Sequence, residues 1–152
     1  MNKPFLGRGW SFPPTFNQGL SGVEMLDEDA DIASSLEVLL TTMPGERVML
    51  PDYGCNTEEL IFESLDTTTK TLMVDKIEAA ILYYEPRIEL EKVWLDSRRE
   101  REGVVLIDVV YRVRTTNSRF NFVFPFYKQE GTDINRAGGP AEATLTPLPD
   151  PR

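Results

Sequence analysis

Tyr83-Tyr84-Glu85-Pro86-Arg87-Ile88 is the stretch at which the hydrophobic period of this chain changes. Before it, Met73, Ile77, Ala80, Ile81 and Tyr84 recur at helical spacing, behind an opening at Asp66 and the threonines 67–69. After it, Ile88, Leu90 and Trp94 fall on one face of a strand, with Glu89 and Glu91 opposite. Val93 and Leu95 interrupt that alternation, which predicts a bulge or an end covered on both faces. Proline disfavours the helical conformation in the residue before it and lacks an N–H, so the helix is expected to stop at or near Glu85. The product is a rigid corner carrying a carboxylate and a guanidinium. Two readings stand: a plain turn whose charges sit in water or pair with each other, and a corner whose guanidinium forks onto acceptors of a partner.

Toward the C-terminus, the charged run Asp96-Ser97-Arg98-Arg99-Glu100-Arg101-Glu102-Gly103 reads as a solvated hairpin connection. Val105, Ile107, Val109, Tyr111 and Val113 then alternate through a second strand. After the turn Thr115–Ser118, Phe120, Phe122, Phe124 and Phe126 line one face of a third. Pro125 marks that third strand as a candidate edge, and an aromatic edge needs cover. Either the C-terminal tail covers it or a partner adds a strand there. Residues 128–152 have no period and read as an extended tail.

Toward the N-terminus, Ile32, Leu36, Leu39, Leu40 and Met43 form one helical stripe, predicting a helix from about Ala30 to Thr42 that ends at Pro44-Gly45. The acids Asp27, Glu28, Asp29 and Asp31 suit its cap and first turn; a calcium loop is rejected because Ile32 and Val38 stand where glycine and a bidentate glutamate are needed. Residues 44–55 form an irregular connector, and Asn56 with Glu59 can cap a short helix that buries Leu60, Ile61 and Phe62. Residues 1–22 read as an extended arm whose aromatics, Trp10 and Phe12 foremost, pack on their own domain or on a neighbour. The expected architecture is therefore α+β: about three helices on one face of a three-stranded antiparallel sheet, in a single domain spanning 23–127 between arm and tail.

Composition narrows the function. The 152 residues carry a formal net charge of -9 with a pI near 4.6, which argues against a nucleic-acid partner and for protein partners. No apolar run suits membrane insertion, and a single cysteine, Cys55, excludes an intramolecular disulfide, so a cytoplasmic setting is expected. There is no histidine, which removes triads and His-ligated zinc; no metal, cofactor or catalytic residue is assigned. Any enzyme would have to work with carboxylates, and no second acid is placed to oppose Glu85. Cys55 reads as a small buried side chain rather than a reactive thiol.

With these pieces in order, the chain resembles the GPW family of baseplate wedge proteins, the small sheath-initiator subunits of contractile phage tails and related injection machines. The matching segments are Gly7-Arg-Gly-Trp-Ser-Phe-Pro-Pro14, the helix exit Leu40-Thr-Thr-Met-Pro-Gly-Glu-Arg-Val-Met49, Pro51-Asp-Tyr-Gly54 and Tyr84-Glu-Pro-Arg-Ile88. Thr116 to Tyr127 and the tail look closer to extracellular, phage-tail-like injection systems than to type VI secretion. The resemblance implies a structural subunit without cofactors, present in six copies per baseplate near the spike, hub or tube, assembled in the cytoplasm into a contractile particle. It implies that Glu85, Pro86 and Arg87 dock on the larger wedge subunits and that the sheet starts the sheath by strand exchange with the sheath protein. The edge-strand reading of Phe120, Phe122, Phe124 and Phe126 fits that second role. Two alternatives come with the family: a carboxylate-based hydrolase, from the lysozyme description some relatives carry, and a free anti-adaptor regulator.

Overall fold

The computed structural model describes residues 7–17, 19, 22–27, 29–55, 66–127 and 144–148. Helix α1, Asp29–Thr41, buries Ile32, Leu36, Leu39 and Leu40, and Asp29 and Asp31 occupy its first turn, where carboxylates favour the free amides. Met43, placed on that stripe by spacing, lies past the helix end and is exposed. Helix α2, Thr67–Tyr84, begins where the Asp66 carboxylate accepts a hydrogen bond from the Thr69 N–H at 2.8 Å. It buries Met73, Ile77, Ala80 and Ile81 and ends at Glu85, as the proline after it requires. The short helix expected from Asn56 and the segment 128–143 lie outside the described residues.

The sheet has four antiparallel strands rather than three. Strands β5 (Ile88–Asp96), β6 (Val104–Val113), β7 (Arg119–Tyr127) and β8 (Thr144–Leu148) stand in the order β5-β6-β7-β8. The fourth comes from the tail: β8 pairs with Arg119 to Val123, setting Leu145 opposite Phe122 and Pro147 opposite Phe120. Among the described residues, β7 is thus an edge only beyond Val123, and Pro147 sits in the outermost strand, where a missing N–H is tolerated. The arm is organised as well. Strands β1 (Arg8–Trp10) and β4 (Met25–Asp27) pair with each other, as do β2 (Phe16–Asn17) and β3 (Gly22–Val23).

Below the sheet, Ile107, Val109, Tyr111 and Val113 meet Phe120, Phe122 and Phe124 and the buried stripes of both helices. The register slips between Leu90 and Lys92, so Glu91 is a bulge residue and the inward parity reverses after it. Val93 and Leu95, opposite Val109 and Ile107, continue the inner face, whereas Trp94 faces outward beneath Lys92, correcting the spacing-based placement of Trp94. The freed Glu91 carboxylate takes Arg112 of β6 at 3.0 Å and Arg119 of β7 at 2.7 Å.

The hydrogen bond from Arg119 holds the Glu91 carboxyl below the usual carboxylate range against the effect of burial, with Arg112 adding to it. A carboxylate depressed in the folded state stabilises above its unfolded pKa and loses that contribution as pH falls through the folded value. Glu91→Gln is therefore expected to cost about 0.5–1 kcal/mol at pH 7. Urea denaturation should show the gap to wild type closing below the ordinary carboxylate range and shrinking in high salt.

Candidate functional site

The corner between α2 and β5 is where distant parts of the chain meet. Arg87 turns back on its own helix: Nε donates to Glu85 Oε1 at 2.7 Å and Nη2 to Oε2 at 2.6 Å, a two-pronged fork. Its third nitrogen, Nη1, donates to Asp31 Oδ2 of α1 at 2.6 Å. The side chains of Glu85 and Asp31 are 3% and 13% exposed, and that of Arg87 is 30%. The hydrogen bonds from the guanidinium to Glu85 raise its already high pKa further, so its charge is fixed at any working pH. Pro86 alone of the three corner residues is exposed.

The N-terminal arm closes over this lock. Gly7, with φ +93°, stands where a Cβ would lie 3.6 Å from Arg87 Nη1, and at Gly9 a Cβ would collide with Asp31 Oδ1. From the sheet side, Tyr111 is fully buried; burial raises its pKa, as do the carboxylates of Asp29 and Glu85. Asp31, placed by sequence only at a helix start, is thus the missed member of the site. The signal for it was Gly9: a backbone that passes this close to a carboxylate excludes a side chain.

The connector after α1 is tied to the same corner. The Tyr84 hydroxyl donates to the Asp52 carbonyl at 2.6 Å, its ring meets Tyr53 edge-on at 5.0 Å, and Arg47 lies 4.1 Å from the centre of the Tyr53 ring. Gly54, at φ +124°, runs so near the Thr42 carbonyl that a Cβ would meet backbone. This tight loop holds Val48 and Met49 almost wholly in solvent. The adjoining Cys55 is buried, with its thiol pushed up to about 11 by burial. It should resist alkylation at pH 8 in the folded protein and react fully in denaturant.

The other predicted residues divide into two groups. Phe120, Phe122 and Phe124 are buried in the core, with Phe126 packed against it, so their side chains work inside this chain; among the described residues, the backbone of β7 has no second partner strand past Val123. Trp10 and Phe12 are exposed, at 64% and 54%. Among the described residues no cluster of His, Cys, Asp or Glu has the geometry of a metal site. With both oxygens on Arg87, Glu85 is in no position to protonate a glycosidic oxygen.

The family described as Baseplate wedge protein gp25 matches residues 26–118. Baseplate wedge protein gp25 of Enterobacteria phage T4 is 36% identical over 58 residues, which is 38% of this chain and 44% of that relative, so the match spans under half of its length. In the cryo-EM structure of the anti-feeding prophage baseplate, one chain is 31% identical with a TM-score of 0.68, over 73% of this chain and 88% of that one. A crystal structure from Geobacter sulfurreducens, provisionally described as a tail lysozyme, is 45% identical with a TM-score of 0.65, over 72% of this chain and all of that one.

Proposed function

The chain belongs to the family of baseplate wedge protein gp25, and from that premise we propose that it links the larger wedge subunits of a contractile injection machine to the first ring of its sheath. Six copies would surround the spike or tube, assembled in the cytoplasm. The observation that carries the reading is the Asp31-Arg87-Glu85 lock: it fixes a corner at which the arm, the connector and α2 converge, and it presents Pro86 beside the exposed Leu82 and Tyr83. The corner docks on the wedge subunits as a rigid unit, with Glu85 and Asp31 acting by holding Arg87. At the far edge of the sheet, a sheath strand either extends the β7 ladder beyond Val123 or takes the place of β8, main-chain bonds giving affinity and side-chain alternation the register.

Co-expression with the larger wedge subunits and the sheath protein tests both halves. Pro86→Asp changes an exposed residue and should lose the wedge subunits while keeping the sheath protein. Deleting residues 144–152 should change capture of the sheath protein alone. Wild type capturing neither would refute the proposal. The hydrolase alternative predicts clearing of purified peptidoglycan that Glu85→Gln abolishes, and the locked carboxylate predicts no such clearing.

A further inference from the structure

The connector after α1 carries a feature that docking at the corner does not use. Its loop is closed at the base, where the Gly45 N–H donates to the Pro51 carbonyl at 2.6 Å. Inside, the Glu46 N–H donates to the Met43 carbonyl and the Tyr53 N–H to the Leu50 carbonyl, each at 3.1 Å. At the tip, Val48 and Met49 are each 94% exposed. Two large apolar side chains held in water by so well bonded a loop form a preorganised knob, with little order left to lose on binding. Beside the knob lies an open cavity of about 520 Å³, with Pro44 and Leu50 of the loop on one wall and Ala79, Tyr83 and Tyr84 of α2 on the other. At their exposure, neither Val48 nor Met49 fills it. Asp52 and Lys76 are the charged residues of its lining, and Lys76 has no ion-pair partner among the described residues.

We propose that a second copy of this chain fills the cavity: Val48 and Met49 of each copy enter the cavity of the other about a two-fold axis, giving a dimer of the free subunit. Such a self-complementary contact needs knob and hole on one face of the molecule, and here Pro44 and Leu50 belong both to the loop and to the cavity wall. The chemistry matches on both sides. Valine and a flexible thioether meet a lining of alanine, leucine, proline and tyrosine, the surroundings in which methionine packs well. Lys76, Ala79 and Tyr83 stand at i, i+3 and i+7 on one face of α2, so a knob laid on Ala79 and Tyr83 brings its neighbouring anion to Lys76. Glu46, exposed three residues before Met49, is that anion. The contact is small, so the dimer belongs to the weak, transient class, with a Kd on the order of tens of micromolar. Tyr83, 78% exposed, lies toward the corner end of α2, so the dimer covers surface near Pro86 and keeps free copies from docking until they separate. It needs no wedge or sheath protein, and therefore stands or falls apart from the preceding proposal.

Sedimentation velocity on the full chain alone tests this, from about 1 to about 200 μM at about 0.15 M salt, where screening limits repulsion between two copies of net charge -9. The average mass should rise with concentration from 17.3 kDa toward twice that value. Met49→Asp blunts the knob and Ala79→Trp fills the hole, both at exposed positions, and each should weaken association at least about tenfold. Lys76→Glu should weaken it about threefold, and adding Glu46→Lys should restore it, which damage to the fold would not allow. Trp10→Ser, removing an exposed aromatic of the arm, should leave association within about twofold. Unchanged melting temperatures would show that the variants fold. A wild type that stays monomeric throughout overturns the proposal. So does a dimer that keeps its affinity in Met49→Asp, a reversed charge pair that stays weak, or a dimer that Trp10→Ser abolishes, which would move the interface to the arm.

Discussion

Arg87→Ala should lower the stability of the folded chain by about 3 kcal/mol at pH 7, among the largest effects of any single charge removal here. The cause is what the substitution leaves behind: Glu85, 3% exposed, would be left buried without its partner, and Asp31 would lose the hydrogen bond that ties α1 to the corner. The guanidinium is itself partly solvated, which places the cost at the lower end for a broken buried pair. Arg87→Lys should recover less than half of it, because one ammonium cannot fork both oxygens of Glu85 and also reach Asp31. Urea denaturation of Arg87→Ala, Glu85→Gln and the double variant would give the coupling directly, expected at about 1.5 kcal/mol or more. A cost for Arg87→Ala under about 1 kcal/mol would mean that the lock does not hold the corner. The result also decides how docking is probed: a variant that loosens the fold cannot report on an interface, whereas Pro86→Asp can.

The elements legible in the sequence were those whose signal is local. Helical period and a proline placed the end of α2 at Glu85, and alternation placed Val105 to Val113 and Phe120 to Phe126 with their inner faces correct. What escaped was set by contacts distant along the chain. Trp94 was put on the inner face because its spacing from Leu90 is even, but the bulge at Glu91 adds one residue and hands that face to Val93. Strand β8 has too little hydrophobic alternation to stand out, since a proline, two threonines and two leucines in an outer strand need satisfy only one neighbour. Asp31 looked like a cap residue because nothing local reveals that Arg87 arrives from 56 positions away. The four segments that carry the family resemblance are scattered in sequence, yet they share this corner: Gly9 admits Asp31, Gly7 turns the arm beside Arg87, and two turns clamp the connector beneath Tyr84. Their co-occurrence has a physical cause in one packed junction.

Phe122→Ala should be the most damaging core truncation of the sheet, at about 4 kcal/mol. Its ring is 1% exposed, stacks 6.5 Å from Phe124 and lies between Val109 of β6 and Leu145 of β8, so its removal leaves a cavity with neighbours on both sides. Proline at this position would be worse, because it adds the loss of a ladder hydrogen bond to the loss of the ring. Neither change isolates the edge. Leu145→Asp does, since β8 is five residues long with three of them exposed, and it can lift away from β7 without opening the rest of the core. That variant should cost no more than about 1 kcal/mol globally while removing hydrogen-exchange protection from the amides of β7 that face β8. The comparison bears on how a sheath strand could enter. If Leu145→Asp is nearly as costly as Phe122→Ala, β8 is part of the cooperative core, and an incoming strand must add beyond it or past Val123. If the cost is small, the outer strand is held by little more than its own ladder and one leucine, and a sheath strand with a longer apolar face can replace it.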